Sequence, residues 1–187
     1  MTARTGSVEG VTELQQALAD DAAFEAWYRR TLPRVYSYLL SRCANDVALA
    51  EELSQQTFAA AIDQRARFNG RSDVVTWLCG IARHKLADHF RGLEREERRR
   101  MQLEVREIRM HDDESRRPDL DERVALSDAL SSLPAAQRAV LVFVVLDGMP
   151  VAEAGRLLGR SPGATQSLLH RARERLRRAY EGGSSDD

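Results

Sequence analysis

The sequence predicts an all-α protein of two small helical domains joined by a charged linker, the second containing a helix-turn-helix. Apolar residues recur at helical spacing through most of the 187-residue chain, and a stretch rich in Glu, Asp and Arg interrupts this pattern at 94–123. A chain of this length suits one medium domain or two small ones, and the interrupted pattern favours two. We place the boundaries at an N-terminal extension 1–21, a first domain 22–92, the linker 93–123, a second domain 124–181 and a flexible tail 182–187.

The helical segments follow from the periodicity and from helix-start and helix-stop residues. They span 22–31, a restart at Pro33, 47–66 and 74–91 in the first domain, and 124–133, 134–146, 151–158 and 162–180 in the second. The β-branched run at 140–146 also has the composition of a buried strand. Because Pro134 precedes this run like a helix start and Gly148 follows it like a C-cap, we predict a buried helix.

The last two predicted helices have the form of a helix-turn-helix. A short apolar helix is followed by a turn at Gly159 and Arg160 and by a longer basic helix, with Ser161 as N-cap and Pro162 at its first position. Helical geometry places one set of residues on a packing side: Thr165, Leu169, Ala172, Leu176 and Ala179. It places another set on the opposite side: Gly163, Ser167, His170, Arg171, Arg177 and Arg178. Because the second helix of such a motif enters the DNA major groove, the opposite side is expected to face phosphates and base edges.

The charge of the chain is unevenly distributed. Residues 160–180 carry six arginines against one glutamate, whereas residues 1–27 carry one arginine against five acids, and the net charge of the chain is −1. This asymmetry is typical of a nucleic-acid-binding surface. The alternative is a solvated surface helix that happens to be rich in arginine.

A second cluster lies in the first domain at 68–91. A polar loop, Asn69 to Ser72, precedes a helix whose apolar side includes Leu78 and Leu86 and whose basic side includes Arg83. A polar loop beside a basic helix suits the capture of single-stranded bases, which need hydrogen-bonding groups at their edges and cations near their phosphates. Trp77 is either a stacking platform or a core residue, and its spacing with Leu78 favours the core.

Neither a metal site nor a membrane segment is expected. His84 and His89 are five residues apart and therefore lie on diverging faces of their helix, which favours solvated histidines. Cys43 and Cys79 form no CxxC pair, which favours reduced thiols. The sequence shows no signal peptide and no apolar run of about 18 residues, so we expect a cytoplasmic protein without a cofactor.

Several motifs in a fixed order resemble the extracytoplasmic-function (group IV) sigma factors of the sigma-70 family. They are AEELSQQTF at 50–58, TWLCGIARHKLADHFR at 76–91, LPAAQR at 133–138 and SLLHRARERL at 167–176. The resemblance implies a non-enzymatic transcription initiation factor that uses no small-molecule substrate. Its implied partners are core RNA polymerase and promoter DNA, with an anti-sigma factor or a regulatory kinase as candidate regulators.

The resemblance also implies three binding surfaces. Polymerase would be bound by Glu51, Glu52, Leu53, Gln55 and Phe58. The minus-ten element would be bound by Asn69, Gly70, Arg71, Ser72, Arg83, His84, Lys85, Asp88 and Arg91. The minus-thirty-five element would be read by Gly163, Gln166, Ser167, His170, Arg171 and Arg173. No catalytic residue is required, because contacts to phosphates and bases recognise the promoter and hold one strand unpaired.

Two stretches depart from the family pattern. Leu49 and Gln56 are neutral where related sequences carry acids. Either this surface docks weakly on polymerase until negative charge is added, as a phosphate on Thr57 would do, or polymerase tolerates the surface and Thr57 is an ordinary helix residue. In the reading helix, Ala164, Gln166 and Leu168 replace a hydroxyl and two cations. This change implies an unusual target sequence or weaker DNA binding.

Two alternatives to a sigma factor remain open on the sequence. The first is a helix-turn-helix regulator that binds DNA without docking on polymerase. The second is a helical protein whose helix-turn-helix contacts only other proteins.

Overall fold

The computed structural model describes residues 14–17, 19–104 and 128–181, and these form two compact units divided between Leu86 and Ala87. In chain order the labelled helices are α1 (Asp21–Arg42), α2 (Val47–Asp63), α3 (Val74–Glu104), α4 (Ala135–Leu141), α5 (Val151–Leu157) and α6 (Pro162–Glu181). A 3-10 turn, Arg65–Arg67, follows α2, and a π-helical turn, Val142–Leu146, continues α4. Residues 14–17 and 128–131 are also helical. Most of the predicted N-terminal extension, residues 105–127 and the predicted tail lie outside the described residues.

Helix α1 runs through Pro33 without interruption, so the prediction of a restart at this proline is wrong. Proline removes one backbone hydrogen bond from a helix interior. Here the apolar residues on both sides of it, Trp27, Val35 and Leu39, are buried in the same core, and their burial offsets that loss. Asp20 caps the helix by accepting a hydrogen bond from the Ala23 N–H at 2.8 Å.

An aromatic cluster fills the core of the first unit where α1 meets α2. The ring of Phe58 lies edge-on to Trp27, with centroids 5.5 Å apart, and edge-on to Tyr28, with centroids 4.6 Å apart. Phe58 and Leu53 are 3% and 2% exposed, respectively. The apolar side of α2 is therefore a packing surface.

Helix α3 is longer than predicted and extends to Glu104. Residues 93–104, which we assigned to the linker, therefore belong to a helix, and an ion pair between Glu94 and Arg98 spans one of its turns. The part of α3 that begins at Ala87 packs in the second unit. Its Phe90 ring lies edge-on to Phe143, with centroids 6.2 Å apart.

The strand-like run at 140–146 is helical, as predicted. Val140 to Phe143 are buried, but Val145 and Leu146 are 53% and 49% exposed, so the prediction of burial holds only for the first part of this run. The helix widens at its end, where the Asp147 N–H donates to the carbonyl oxygen of Val142, five residues back, at 3.0 Å. Gly148, with φ of +64°, then reverses the chain, as expected of a C-cap.

None of the helices in the described ranges is long and apolar enough to cross a membrane.

Candidate nucleic-acid and protein interfaces

The helix-turn-helix is formed by α5, the turn at 158–160 and α6. Gly159 supplies the turn with φ of +68°, and the Arg160 N–H donates to the Gly155 carbonyl oxygen at 2.7 Å. The Ser161 hydroxyl accepts a hydrogen bond from the Ala164 N–H at 3.3 Å, which confirms the predicted cap. Thr165 closes the first turn of α6 by donating its hydroxyl to the Ser161 carbonyl oxygen at 2.8 Å.

The two predicted sides of α6 are confirmed. Thr165, Leu169 and Ala172 are at most 3% exposed, while Leu176 and Ala179 are half-buried. Leu168 is also buried, although we did not predict it on the packing side. The residues predicted to read duplex DNA are all exposed: Gly163, Gln166, Ser167, His170, Arg171 and Arg173.

The positive charge of α6 is only partly neutralised within the protein. Arg177 forms an ion pair with Glu174, the one acid between Arg160 and Tyr180, at 3.1 Å. Arg160 is paired with Glu94 of α3. Arg171 is exposed, and its Nε donates to the Ser167 carbonyl oxygen at 3.4 Å, a contact that leaves its charge in place. The helix therefore presents a cationic surface suited to phosphates.

The loop at 69–72 forms a short turn that is stabilised by a hydrogen bond within the loop. The side-chain oxygen of Asn69 accepts a hydrogen bond from the Arg71 N–H at 3.1 Å, and Gly70 between them is buried with φ of +68°. Asn69 and Arg71 are exposed and Ser72 is half-buried. This short turn leaves the side chains of Asn69 and Arg71 accessible from solvent, where they can meet an unpaired base.

Asp73 fixes the junction between this loop and α3. Its carboxylate accepts hydrogen bonds from the N–H groups of Val75 at 3.3 Å and Thr76 at 3.1 Å, and from the Thr76 hydroxyl at 3.1 Å. Partial burial raises the pKa of Asp73, but these hydrogen bonds and the charge of Arg34 outweigh it, so the pKa is lowered from its usual value of 3.8. The loop is thus anchored by a carboxylate that is ionised at neutral pH.

The predicted minus-ten residues of α3 lie on its accessible side. His84, Asp88 and Arg91 are exposed, and Arg83 and Lys85 are half-buried. Asp88 and Arg91 form an ion pair.

Trp77 is half-buried rather than fully in the core, and its ring lies 5.0 Å from that of Phe68. This packing on a buried aromatic residue is in line with the favoured core role, and the stacking role stays a prediction.

The predicted polymerase surface requires a correction. Glu51, Glu52 and Gln55 are exposed on α2, but Leu53 and Phe58 are buried and cannot contact a partner in the folded chain. Phe58 packs on Trp27 and Tyr28 of α1. Leu53 and Phe58 are apolar residues of an amphipathic helix, and such residues are expected to pack in the core. We assigned them to the polymerase surface because of the family motif, not because of this pattern.

Thr57 is also buried. It is fully inaccessible, and its hydroxyl donates to the Leu53 carbonyl oxygen at 2.7 Å. A kinase cannot reach this hydroxyl in the folded chain, and a phosphate would place a double charge in the core. The hypothesis of phosphorylation at Thr57 is therefore wrong for the folded protein.

Tyr38 and Arg42 of α1 lie beside Arg83, a predicted minus-ten residue, and we did not predict this from the sequence. The Arg83 Nε donates to the Tyr38 hydroxyl at 3.4 Å, and the Arg42 guanidinium lies 3.7 Å above the centre of the Tyr38 ring. The signal in the sequence was the spacing of four between Arg34, Tyr38 and Arg42, which places them on one face of a helix.

Within the described ranges, no group of three or more His, Cys, Asp or Glu residues is arranged to hold a metal ion.

Family comparisons agree with this arrangement. Residues 17–96 match the family model of sigma-70 region 2, and residues 123–176 match that of sigma-70 region 4. The chain is 32% identical over 178 residues to the probable RNA polymerase sigma-C factor of Mycobacterium bovis, covering 94% of each chain. It is 34% identical over 164 residues to the ECF RNA polymerase sigma factor SigF of Caulobacter vibrioides, covering 86% of this chain and 89% of the relative.

A solved structure shows the same fold. The sigma factor RpoE from Bartonella quintana, crystallised with the anti-sigma factor NepR, aligns with a TM-score of 0.51 over 88% of this chain and 98% of that chain. At 22% identity, this likeness bears on the fold alone. The sequence relatives favour a sigma factor over a regulator that acts without polymerase. The chain therefore belongs to the extracytoplasmic-function RNA polymerase sigma factors of the sigma-70 family and is an alternative sigma factor that acts with RNA polymerase.

Proposed function

We propose that the domain at 22–92 docks on core RNA polymerase and holds the minus-ten element unpaired, while the domain at 124–181 reads the minus-thirty-five element as duplex DNA. The protein acts in the cytoplasm and catalyses no reaction itself. Its contribution is binding free energy, which directs polymerase to a promoter and stabilises the melted strand.

The observation that carries this proposal is the division of α6 into a buried side and an exposed basic side. Thr165, Leu169 and Ala172 fix the helix on its own domain, so that His170, Arg171 and Arg173 are free to enter a major groove. A helix that contacted only protein would not need this density of arginine.

In the first domain, the loop at 69–72 would bind a base that has left the duplex. The exposed Asn69 amide supplies hydrogen-bonding groups for a base edge, and Arg71 supplies charge for the adjacent phosphate. Asp73 holds the loop at the start of α3, so the loop is already ordered before DNA arrives. Ordering in advance lowers the entropy lost on binding.

Docking on polymerase would use the exposed acidic side of α2. Glu51 and Glu52 are both accessible, and the Gln56 amide donates to the Glu52 carboxylate at 3.0 Å. Glu52 is therefore already oriented in the free protein. An anti-sigma factor, of the kind crystallised with the Bartonella quintana sigma factor, would act by covering this surface or α6.

A titration of labelled core polymerase with the full-length chain tests this proposal. We expect saturable binding that is weakened by Glu51→Lys and unaffected by Arg29→Ala, since Arg29 lies on α1 and is paired with Glu25. An absence of saturable binding by the wild-type chain would overturn the proposal in favour of a DNA-binding regulator.

A further inference from the structure

We propose that Arg34, Tyr38 and Arg42 of α1, together with Arg83 of α3, form an additional contact for the sugar-phosphate backbone of single-stranded DNA leaving the 69–72 loop. We call these four residues the α1 patch. The inference rests on the proposed function of that loop and extends the DNA surface onto a helix to which neither the motifs nor the family comparison assigned a DNA contact.

The α1 patch is an ordered arrangement of side chains. The Arg42 guanidinium carbon lies over the Tyr38 ring, 3.7 Å from its centre, and the Arg42 Nη1 donates to the Tyr38 carbonyl oxygen at 2.9 Å. On the other side, Arg83 reaches the Tyr38 hydroxyl at 3.4 Å. Tyr38 thus holds Arg42 of α1 and Arg83 of α3 in place. Because these side chains are already ordered, each would lose less conformational entropy on binding a phosphate.

The α1 patch adjoins the loop. The charges of Arg42, Arg34 and Arg83 all act on the thiol of Cys79, as does that of Asp73, and Arg34 also acts on Asp73. The charges of these four groups therefore lie near enough to Cys79 to affect its thiol, and Asp73 immediately follows Ser72 in the chain. In the proposed path, a strand whose base is held by Asn69 continues past Asp73 toward the α1 patch.

The chemistry of the α1 patch fits a nucleic-acid backbone better than a carboxylate partner. Arg42 and Arg83 both contact Tyr38, and Arg34 lies one turn before Tyr38 on the same face of α1. Three forked phosphate donors on one small surface are characteristic of grooves that follow the backbone of a single strand without reading its sequence. Asp73, whose charge also acts on Cys79, is already occupied in capping α3.

The test measures the binding of holoenzyme to a fluorescein-labelled single-stranded DNA oligonucleotide of mixed sequence as a function of salt, with core polymerase alone as background. Removal of one phosphate contact should flatten the slope of log affinity against log salt by about 0.7 for single-stranded DNA. We expect this change for Arg34→Ala and for Arg42→Ala. Arg42→Lys should keep the wild-type slope, because it keeps the charge.

Arg29→Ala is the matched control, since it removes an exposed arginine from the same helix. It should leave the slope unchanged, and all variants should keep the wild-type affinity for core polymerase. If Arg34→Ala and Arg42→Ala bind the oligonucleotide with the wild-type slope, the inference is wrong and the proposed function stands. If wild-type holoenzyme binds no better than core polymerase, the DNA role of the first domain fails, and the inference fails with it.

Cys79 offers an independent readout that does not depend on stability. Cys43 is buried and Cys79 is half-buried, so a maleimide should label Cys79 first. Bound oligonucleotide should slow this labelling in wild-type holoenzyme and should protect the Arg34→Ala variant less. Equal protection of both proteins would contradict a strand path over the α1 patch.

Discussion

Gly155 of α5 lies against Thr165 of α6 so closely that a Cβ atom at Gly155 would be 2.6 Å from the Thr165 hydroxyl oxygen. The same atom would be 2.9 Å from the carbonyl oxygen of Arg160. Both distances are shorter than non-bonded carbon–oxygen contacts, and the second neighbour is backbone that cannot rotate away. The absence of a side chain at Gly155 therefore allows α5 and α6 to approach each other this closely.

Gly155→Ala should destabilise the second domain by about 1–3 kcal/mol, because the added methyl group forces the two helices apart. The matched control is Gly163→Ala on α6, where a Cβ atom meets nothing within 4 Å. That change should be neutral or stabilising by about 0.5–1 kcal/mol. Urea unfolding of the full chain measures both, and equal effects would contradict the close approach of the helices.

Asp73→Ala should cost about 0.5–2 kcal/mol at pH 7 by removing the cap of α3, while Asp73→Asn should cost less because its amide oxygen still accepts a hydrogen bond. The folded-state pKa of Asp73 lies below 3.8. The capping contribution is therefore fully present above that unfolded value and is lost as the pH falls through the folded pKa. In thermal melts across this pH range, the difference in melting temperature between wild type and Asp73→Ala should shrink as the pH falls. A difference that grows in acid would contradict the capping role of the Asp73 carboxylate.

Arg171→Ala should weaken binding of duplex promoter DNA and flatten the salt slope by about 0.9, with little change in stability. Leu169→Ala, two residues earlier and on the buried side, should instead destabilise the fold by about 2–5 kcal/mol. Fluorescence anisotropy at several salt concentrations, combined with thermal melts, separates the two. A large loss of stability in Arg171→Ala would show that this arginine is structural.

Substitution of Asn69 by Ala should slow open-complex formation on a duplex promoter. The defect should be much smaller on a template already mismatched across the minus-ten element, because the mismatch removes an unpairing cost of about a few kcal/mol. Permanganate footprinting on both templates measures this difference. An equal defect on both would point to folding or polymerase docking instead.

Gln56→Glu adds negative charge to α2 but removes the hydrogen bond that orients Glu52. It should strengthen binding to core polymerase if negative charge on α2 limits docking more than the orientation of Glu52 does. Phe58→Ala, by contrast, should destabilise the first domain by about 3–5 kcal/mol, because the aromatic packing on Trp27 and Tyr28 is removed. Equal affinities of wild type and Gln56→Glu for labelled core would contradict the charge-deficit hypothesis.

The sequence predicted those features that depend on local periodicity and capping. Thr165 and Leu169 are buried and Arg171 is exposed because a 3.6-residue repeat alone determines these faces. Ser161 and Gly148 have the backbone roles that their residue types favour.

Features that depend on tertiary packing were harder to predict. The continuity of α1 through Pro33 reflects a core formed with α2, and the burial of Phe58 and Thr57 depends on the position of α1. The extension of α3 to Glu104 accompanies contacts distant in sequence: the Glu97 carboxylate accepts a hydrogen bond from the Ala135 N–H at 3.0 Å. Such a partner cannot be inferred from the charge-rich composition of residues 94–104.

Run-off transcription tests the central claim most directly. Core RNA polymerase from the organism that encodes this chain would be incubated with fragmented genomic DNA, with and without the full-length protein, and the 5′ ends of the transcripts would be sequenced. We expect a discrete set of start sites that appears only with the protein and is reduced by Arg171→Ala and by substitution of Asn69. If saturating protein adds no start sites while the principal sigma factor initiates normally on the same core, this chain does not direct promoter recognition.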